Sequence, residues 1–108
     1  MALAAHETKA VSNSVVSPAT TQAVLFAFGS VYALMSTTNA IRFTVDGQTD
    51  PVITGSSEVG TLLSTTGEGG LTHIILTIEE FLNLRMIRVA SDARVQFEFL
   101  AERRREVF

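Results

Sequence analysis

Ala93-Arg94-Val95-Gln96-Phe97-Glu98-Phe99-Leu100 alternates apolar and polar residues without interruption. Only a side-chain period of two puts Ala93, Val95, Phe97 and Phe99 on one side and Arg94, Gln96 and Glu98 on the other. The stretch therefore reads as a half-buried β-strand. Ile41-Arg42-Phe43-Thr44-Val45 repeats the pattern. Together the two stretches set the class as all-β.

Outward from these anchors, turn chemistry divides the chain into short strands. Arg85–Ala90 precedes the final strand across a tight Ser91-Asp92 turn. Thr21–Phe28 (T-Q-A-V-L-F-A-F) is apolar on both faces and reads as a central strand. It would turn at Gly29-Ser30 into a second strand, Val31–Ser36, with Gly29 supplying a positive φ. Thr37-Thr38-Asn39 and Asp46-Gly47 are further turns, and Thr65–Gly70 (T-T-G-E-G-G) is another. Val52–Thr54 can pair briefly within the loop 48–57, 58–64 reads as either a short strand or a packed loop, and Leu71–Ile78 reads as a strand. Ile78–Leu84 supports one or two helical turns, with Glu79 or Glu80 placed favourably at their start. Residues 1–20, rich in Ala, Ser, Thr and Val, read as a loosely held N-terminal arm, and 102–108 as a charged tail. Between them, residues 21–101 are expected to form an antiparallel β-sandwich or small barrel of six to eight strands, without a βαβ rhythm. The expected core is Leu25, Tyr32, Leu34, Ile41, Phe43, Val45, Leu63, Ile74, Leu76, Ile87, Val89, Val95, Phe97 and Phe99.

At 108 residues the chain holds one domain, long enough for a core without staples. Charged residues make up 18%, against the usual ~25%. A surface so sparsely charged is suited to being covered by neighbours, which points to a homo-oligomer. The net charge of −3 supplies no basic field for nucleic acid. Charge is nevertheless polarised: residues 1–84 carry two basic groups against seven acidic ones, and 85–108 carry six arginines against four acids. Such a chain could meet its own copies through opposite patches, or simply have a solvated charged end. There is no cysteine, so disulfide and thiolate chemistry are excluded. The start, M-A-L-A-A-H-E, lacks the basic and apolar regions of a signal peptide. The most apolar stretch, Ala23–Met35, is broken at Gly29-Ser30 and falls short of the ~20 residues of a membrane span.

Catalytic, cofactor and metal constellations are not evident. His6 and His73 stand outside any ligand spacing. Asp46, Asp50 and Glu58 share one loop region, yet D-G-Q-T-D lacks the alternation and closing glutamate of a calcium loop. Glu79 and Glu80 are adjacent and point apart, which is poor geometry for an acid–base pair. No G-x-S-x-G frames a serine, and no lysine follows the glycines of T-T-G-E-G-G. The expectation is a non-enzymatic protein without cofactor. Arg103-Arg104-Arg105, flanked by Glu102 and Glu106, makes a half-neutralised patch better matched to an acidic neighbour or to water than to a nucleic acid backbone. With Phe108 on the tail and His6 and Lys9 on the arm, these are the candidate interface residues.

Taken whole, the chain resembles the small all-β structural proteins of tailed-phage virions. The resemblance spans about residues 21–100. It rests on V-Y-A-L-M-S-T-T-N-A-I-R-F-T-V-D-G (31–47), the Gly/Thr loop, and R-M-I-R-V-A-S-D-A-R-V-Q-F-E-F-L (85–100). In that group the last two strands are similar to the run from Arg88-Val89 to Phe99. The resemblance implies a capsid decoration (cement) protein that binds the phage head through its surface and N-terminal arm. It would assemble in the host cytoplasm as a homo-oligomer, of which a trimer is one form, with capsid or other virion proteins as partners. Two alternatives stay open. One is another small head or tail component, such as a head-fibre base, connector or tail protein. The other is a carbohydrate-binding or other ligand-binding sandwich, against which stand the absence of tryptophan and a single tyrosine, Tyr32.

Overall fold

The computed structural model describes residues 2–27, 29–53, 58–64 and 72–101. The alternating stretch that opened the sequence reading is strand β7 (Ala93–Ala101), and its burial strictly follows the pattern: Ala93, Val95, Phe97 and Phe99 are buried while Arg94, Gln96 and Glu98 are exposed. In chain order the preceding elements are β1 (Ala2–Val11), α1 (Gln22–Ala27), β2 (Ser30–Thr37), β3 (Ile41–Thr44), β4 (Thr61–Leu63), β5 (His73–Thr77), α2 (Ile78–Leu82) and β6 (Arg85–Arg88). They form a four-stranded sheet of order β1-β7-β2-β5 and a three-stranded sheet of order β4-β3-β6, with every pairing antiparallel. One core, with residues from both sheets and both helices, lies between the layers, so the fold is an all-β sandwich and not a closed barrel. The turns after β2 and β6 are short, yet each carries the chain from one sheet to the other.

Phe81 closes the core from α2. Its ring meets Phe97 at 5.0 Å and 79° and Phe99 at 4.9 Å and 83°, edge-on to both, while Phe97 and Phe99 lie nearly parallel. Edge-to-face contact matches the positive rim of one ring to the negative faces of the other two. A capping box holds α2 in place. Thr77 Oγ1 accepts from the Glu80 amide, and Glu80 Oε1 accepts from the Thr77 amide at 2.8 Å. The expected helical turns with a glutamate at their start are therefore present, and Glu80 is the capping residue.

Two expectations are corrected. Thr21–Phe28 is not a central strand, because Gln22–Ala27 is helical. β2 already has β7 on one side and β5 on the other, so the segment before it finds no free edge to pair with. Ala, Gln and Leu tolerate helix well. The Leu25 amide donates to the Thr21 carbonyl (3.1 Å), and Leu25 drops into the core. Gly29 does take a positive φ, +65°, but it ends α1 instead of turning a hairpin.

Nor is the N-terminal segment a loosely held arm. Ala2–Val11 pairs with β7 along its length, with Val11 opposite Ala93 and Ala5 opposite Phe99. Beyond β1 the chain crosses to the other layer. Val16 and Met86 exchange both backbone hydrogen bonds (2.9 and 2.8 Å), and the Arg88 amide donates to Ser12 (3.0 Å). Residues 2–16 thus stitch one sheet to the other. The expected turn at Thr65–Gly70 and the charged tail 102–108 lie outside the described residues.

Phe81→Ala is expected to cost about 3–5 kcal/mol in urea unfolding, whereas Leu82→Ala, its partly exposed neighbour, should change stability far less. Equal losses for the two variants would contradict this account of the core.

Candidate interaction surfaces

The outer face of the four-stranded sheet is built by strand parity. On β7 and β1 it carries Gln96, Glu98, Thr8 and His6, all exposed, with His6 directly across from Glu98. On β2 and β5 it carries Tyr32, Leu34 and Ile75, with Leu34 set between Glu98 and Ile75. One face therefore grades from polar to apolar across its width. Ile75 is 55% exposed. The inner face of β2 is formed by Ala33 and Met35, not by the expected Tyr32 and Leu34, and β6 buries Met86 rather than Ile87. Val89 is likewise only partly buried. Where a strand is apolar on both sides, composition does not say which side faces in.

A second apolar surface lies where the two helices meet. Gln22, Phe26, Ile78, Glu79, Leu82 and Asn83 line a groove of about 460 Å³, and Phe26 is 66% exposed on its rim.

The Asp46–Asp50 loop is held by a guanidinium. Arg85 Nη2 donates to the Gly47 carbonyl (2.7 Å), and Nη1 reaches both the Gln48 carbonyl (3.1 Å) and Asp50 Oδ1 (2.7 Å). Within the loop, Asp46 Oδ1 accepts from the Gln48 and Thr49 amides (2.9 and 2.8 Å), and Oδ2 accepts from Thr49 Oγ1 (2.6 Å). These bonds favour the ionised form and draw the Asp46 carboxyl down to about 2, Thr49 being the main cause and Arg85 a smaller one. Gly47 has φ +72°, and a Cβ there would lie 2.7 Å from Asn83 Oδ1, so any other residue would be strained in this turn against the end of α2. The two aspartates that partly match a calcium loop thus engage backbone, hydroxyl and guanidinium groups. Among the described residues no cluster of His, Cys, Asp and Glu is arranged to hold a metal ion.

Among the described residues, ion pairs offset part of the lengthwise charge polarity. Arg85 pairs with Asp50 (2.7 Å), Arg88 with Asp92, and Arg42 with Glu58 (3.5 Å). Exposed pairs of this kind are worth about 0–1 kcal/mol each, but they neutralise charge locally. Of the candidate interface residues, His6 and Lys9 lie among the described residues, on opposite sides of β1. His6 is exposed on the outer face. Lys9, opposite Val95, falls on the inner side of β1 and is partly buried. Arg103, Arg104, Arg105 and Phe108 lie outside the described residues. Sequence reading missed Glu7, which staples the following segment to β1: its carboxylate accepts from the Ala19 amide (2.8 Å), the Thr20 amide (2.9 Å) and Thr20 Oγ1 (2.6 Å). An acid at a position sharing parity with Val11 was the available signal.

Compared with known proteins, the chain matches no family model, no curated protein and no solved structure. No helix among the described residues is long and apolar enough to cross a membrane.

Because Asp46 ionises more readily folded than unfolded, its contribution to stability is complete above about pH 4 and is lost as pH falls towards 2. Wild type should therefore exceed Asp46→Ala in urea midpoint at neutral pH, and the two should converge near pH 2. A gap that persists unchanged at pH 2 would overturn the clamp.

Proposed function

We propose that this chain is a non-enzymatic structural protein of a tailed-phage virion, of the decoration or cement type, acting through its surface as a repeated subunit. The observation that carries the reading is the outer face of the four-stranded sheet. A solvated sheet face ordinarily alternates to polar residues, and here β2 and β5 place Tyr32, Leu34 and Ile75 there. A face of mixed character, rimmed by Glu98 and His6 and poor in charge, suits a polar, repeated protein contact better than free solvation.

The sequence resemblance adds to this reading. Its most characteristic run, 85–100, forms the β6–turn–β7 passage that links the two layers. A cross-strand-bonded sandwich with its N-terminal strand incorporated fits a subunit that stiffens a shell. Contact with the head would then run through the outer face and not through a free arm. The partners are capsid or other virion proteins, and the place is the virion, assembled in the host cytoplasm.

Purified protein should co-sediment with phage heads assembled without it, saturating at a fixed copy number per capsomer. Leu34→Glu, checked for folding by circular dichroism, should weaken that binding at least tenfold. Failure to bind heads or tails at all would reject the virion reading.

A further inference from the structure

Every sheet of an open sandwich ends in strands whose outer N–H and C=O groups are unpaired, and proteins guard such edges against pairing with other chains. Among the described residues there are four such edges, and three carry a recognisable guard. β6 is covered by the backbone of Ser12 and Val16. β4 is only three residues long. β1 has Glu7 and Lys9 on its inner side, where a joining strand would bury their charge, and its pairing is interrupted by an irregularity between Leu3 and Ala5. The fourth edge, β5, has none of these. It reads H-I-I-L-T, with no charged residue, no proline and no register shift against β2, and no strand among the described residues pairs with its far side.

We propose that β5 is the contact strand of a two-fold homodimer, in which antiparallel β5 strands from two copies join their four-stranded sheets into one of eight. The strand's own chemistry selects a second copy as occupant, because it is nearly palindromic. A two-fold axis at Ile75 sets Ile75 against itself on the outer face and Ile74 against Leu76 on the inner face. It also sets His73 beside Thr77 at the ends, where the Thr77 amide is already held by Glu80 Oε1, so the new ladder bonds centre on Ile75. Each of these antiparallel partners shares a face, so the inner apolar layer continues across the axis without a change of parity. β-branched and apolar cross-strand pairs are the favourable kind, and no like charges are opposed. The pairing is isologous and therefore closes at two copies instead of growing into a fibre.

Five residues per copy make a contact smaller than the roughly 1,200 Å² of a standard stable interface. Association is accordingly expected at high protein concentration, or where copies are already held side by side. The proposal rests on the reading of the chain as a self-associating subunit.

The chain has no cysteine, so a single introduced thiol reports the contact cleanly. Ile75→Cys should form a disulfide-linked dimer on mild oxidation, while Thr8→Cys, exposed on the opposite edge strand β1, should not. By sedimentation equilibrium at millimolar concentration, wild type should dimerise, and Ile75→Lys, folded by circular dichroism, should weaken dimerisation at least tenfold. A monomeric wild type, a dimer indifferent to Ile75→Lys, or cross-linking through Thr8→Cys in place of Ile75→Cys would overturn the proposal. These measurements use isolated protein. A monomer that still binds phage heads would refute this dimer and spare the virion reading, and a β5 dimer that binds no particle would do the reverse.

Discussion

β7 is the strand on which the rest of the molecule depends. It has a neighbour on each side, β1 and β2, and its inner side chains receive the ring of Phe81 from α2. Perpendicular ring contacts contribute about 0.5–1.5 kcal/mol each beyond area burial, and the geometry fixes more than energy. For Phe81 to touch Phe97 and Phe99 together, α2 must start directly after β5, which the capping box at Thr77 and Glu80 ensures. The short helix thus cannot drift, and the β5-to-β6 passage between the layers is fixed with it.

Electrostatics plays a supporting role at the loops. Arg85, next to Met86 in sequence and opposite Thr44 across the ladder, reaches out from the three-stranded sheet to gather the carbonyls of Gly47 and Gln48. A lysine would offer one compact charge where the guanidinium fork supplies several directed donors. Of the arginines that make residues 85–108 basic in sequence, Arg85 is tied to Asp50 from a distant segment and Arg88 to Asp92 nearby. Lengthwise charge asymmetry is a weak guide to surface patches when the chain folds antiparallel and brings distant segments side by side.

The same reasoning explains what was legible from sequence. β7 and β3 were readable because Arg94, Gln96, Glu98 and Arg42 mark one face as wet. On β2 no such marker exists: V-Y-A-L-M is apolar throughout, and the larger Tyr32 and Leu34 looked like core, whereas Ala33 and Met35 are the buried pair, beside Phe99 and Phe97 on the inner face. α1 was misread for a topological reason. Its composition allowed strand or helix, and the choice fell to the sheet order, which only distant residues determine. The N-terminal strand was hidden by its small side chains, since it is recruited by β7's open edge more than by its own pattern. Of the candidate interface, His6 was placed on an exposed face and Lys9 on the inner one. That distinction needs the register with β7.

Parity also connects the core to the surface. Since side chains alternate strictly, a strand that must give two apolar residues to the core is free to vary on its other face. β7 uses that freedom for charge and polarity, which keeps the centre of the sheet wet. β2 and β5 use it for Leu34, Tyr32 and Ile75. This second apolar set adds nothing to the dry layer between the sheets, so its presence calls for a different cause. On the proposed reading, that cause is a contact beyond the single chain.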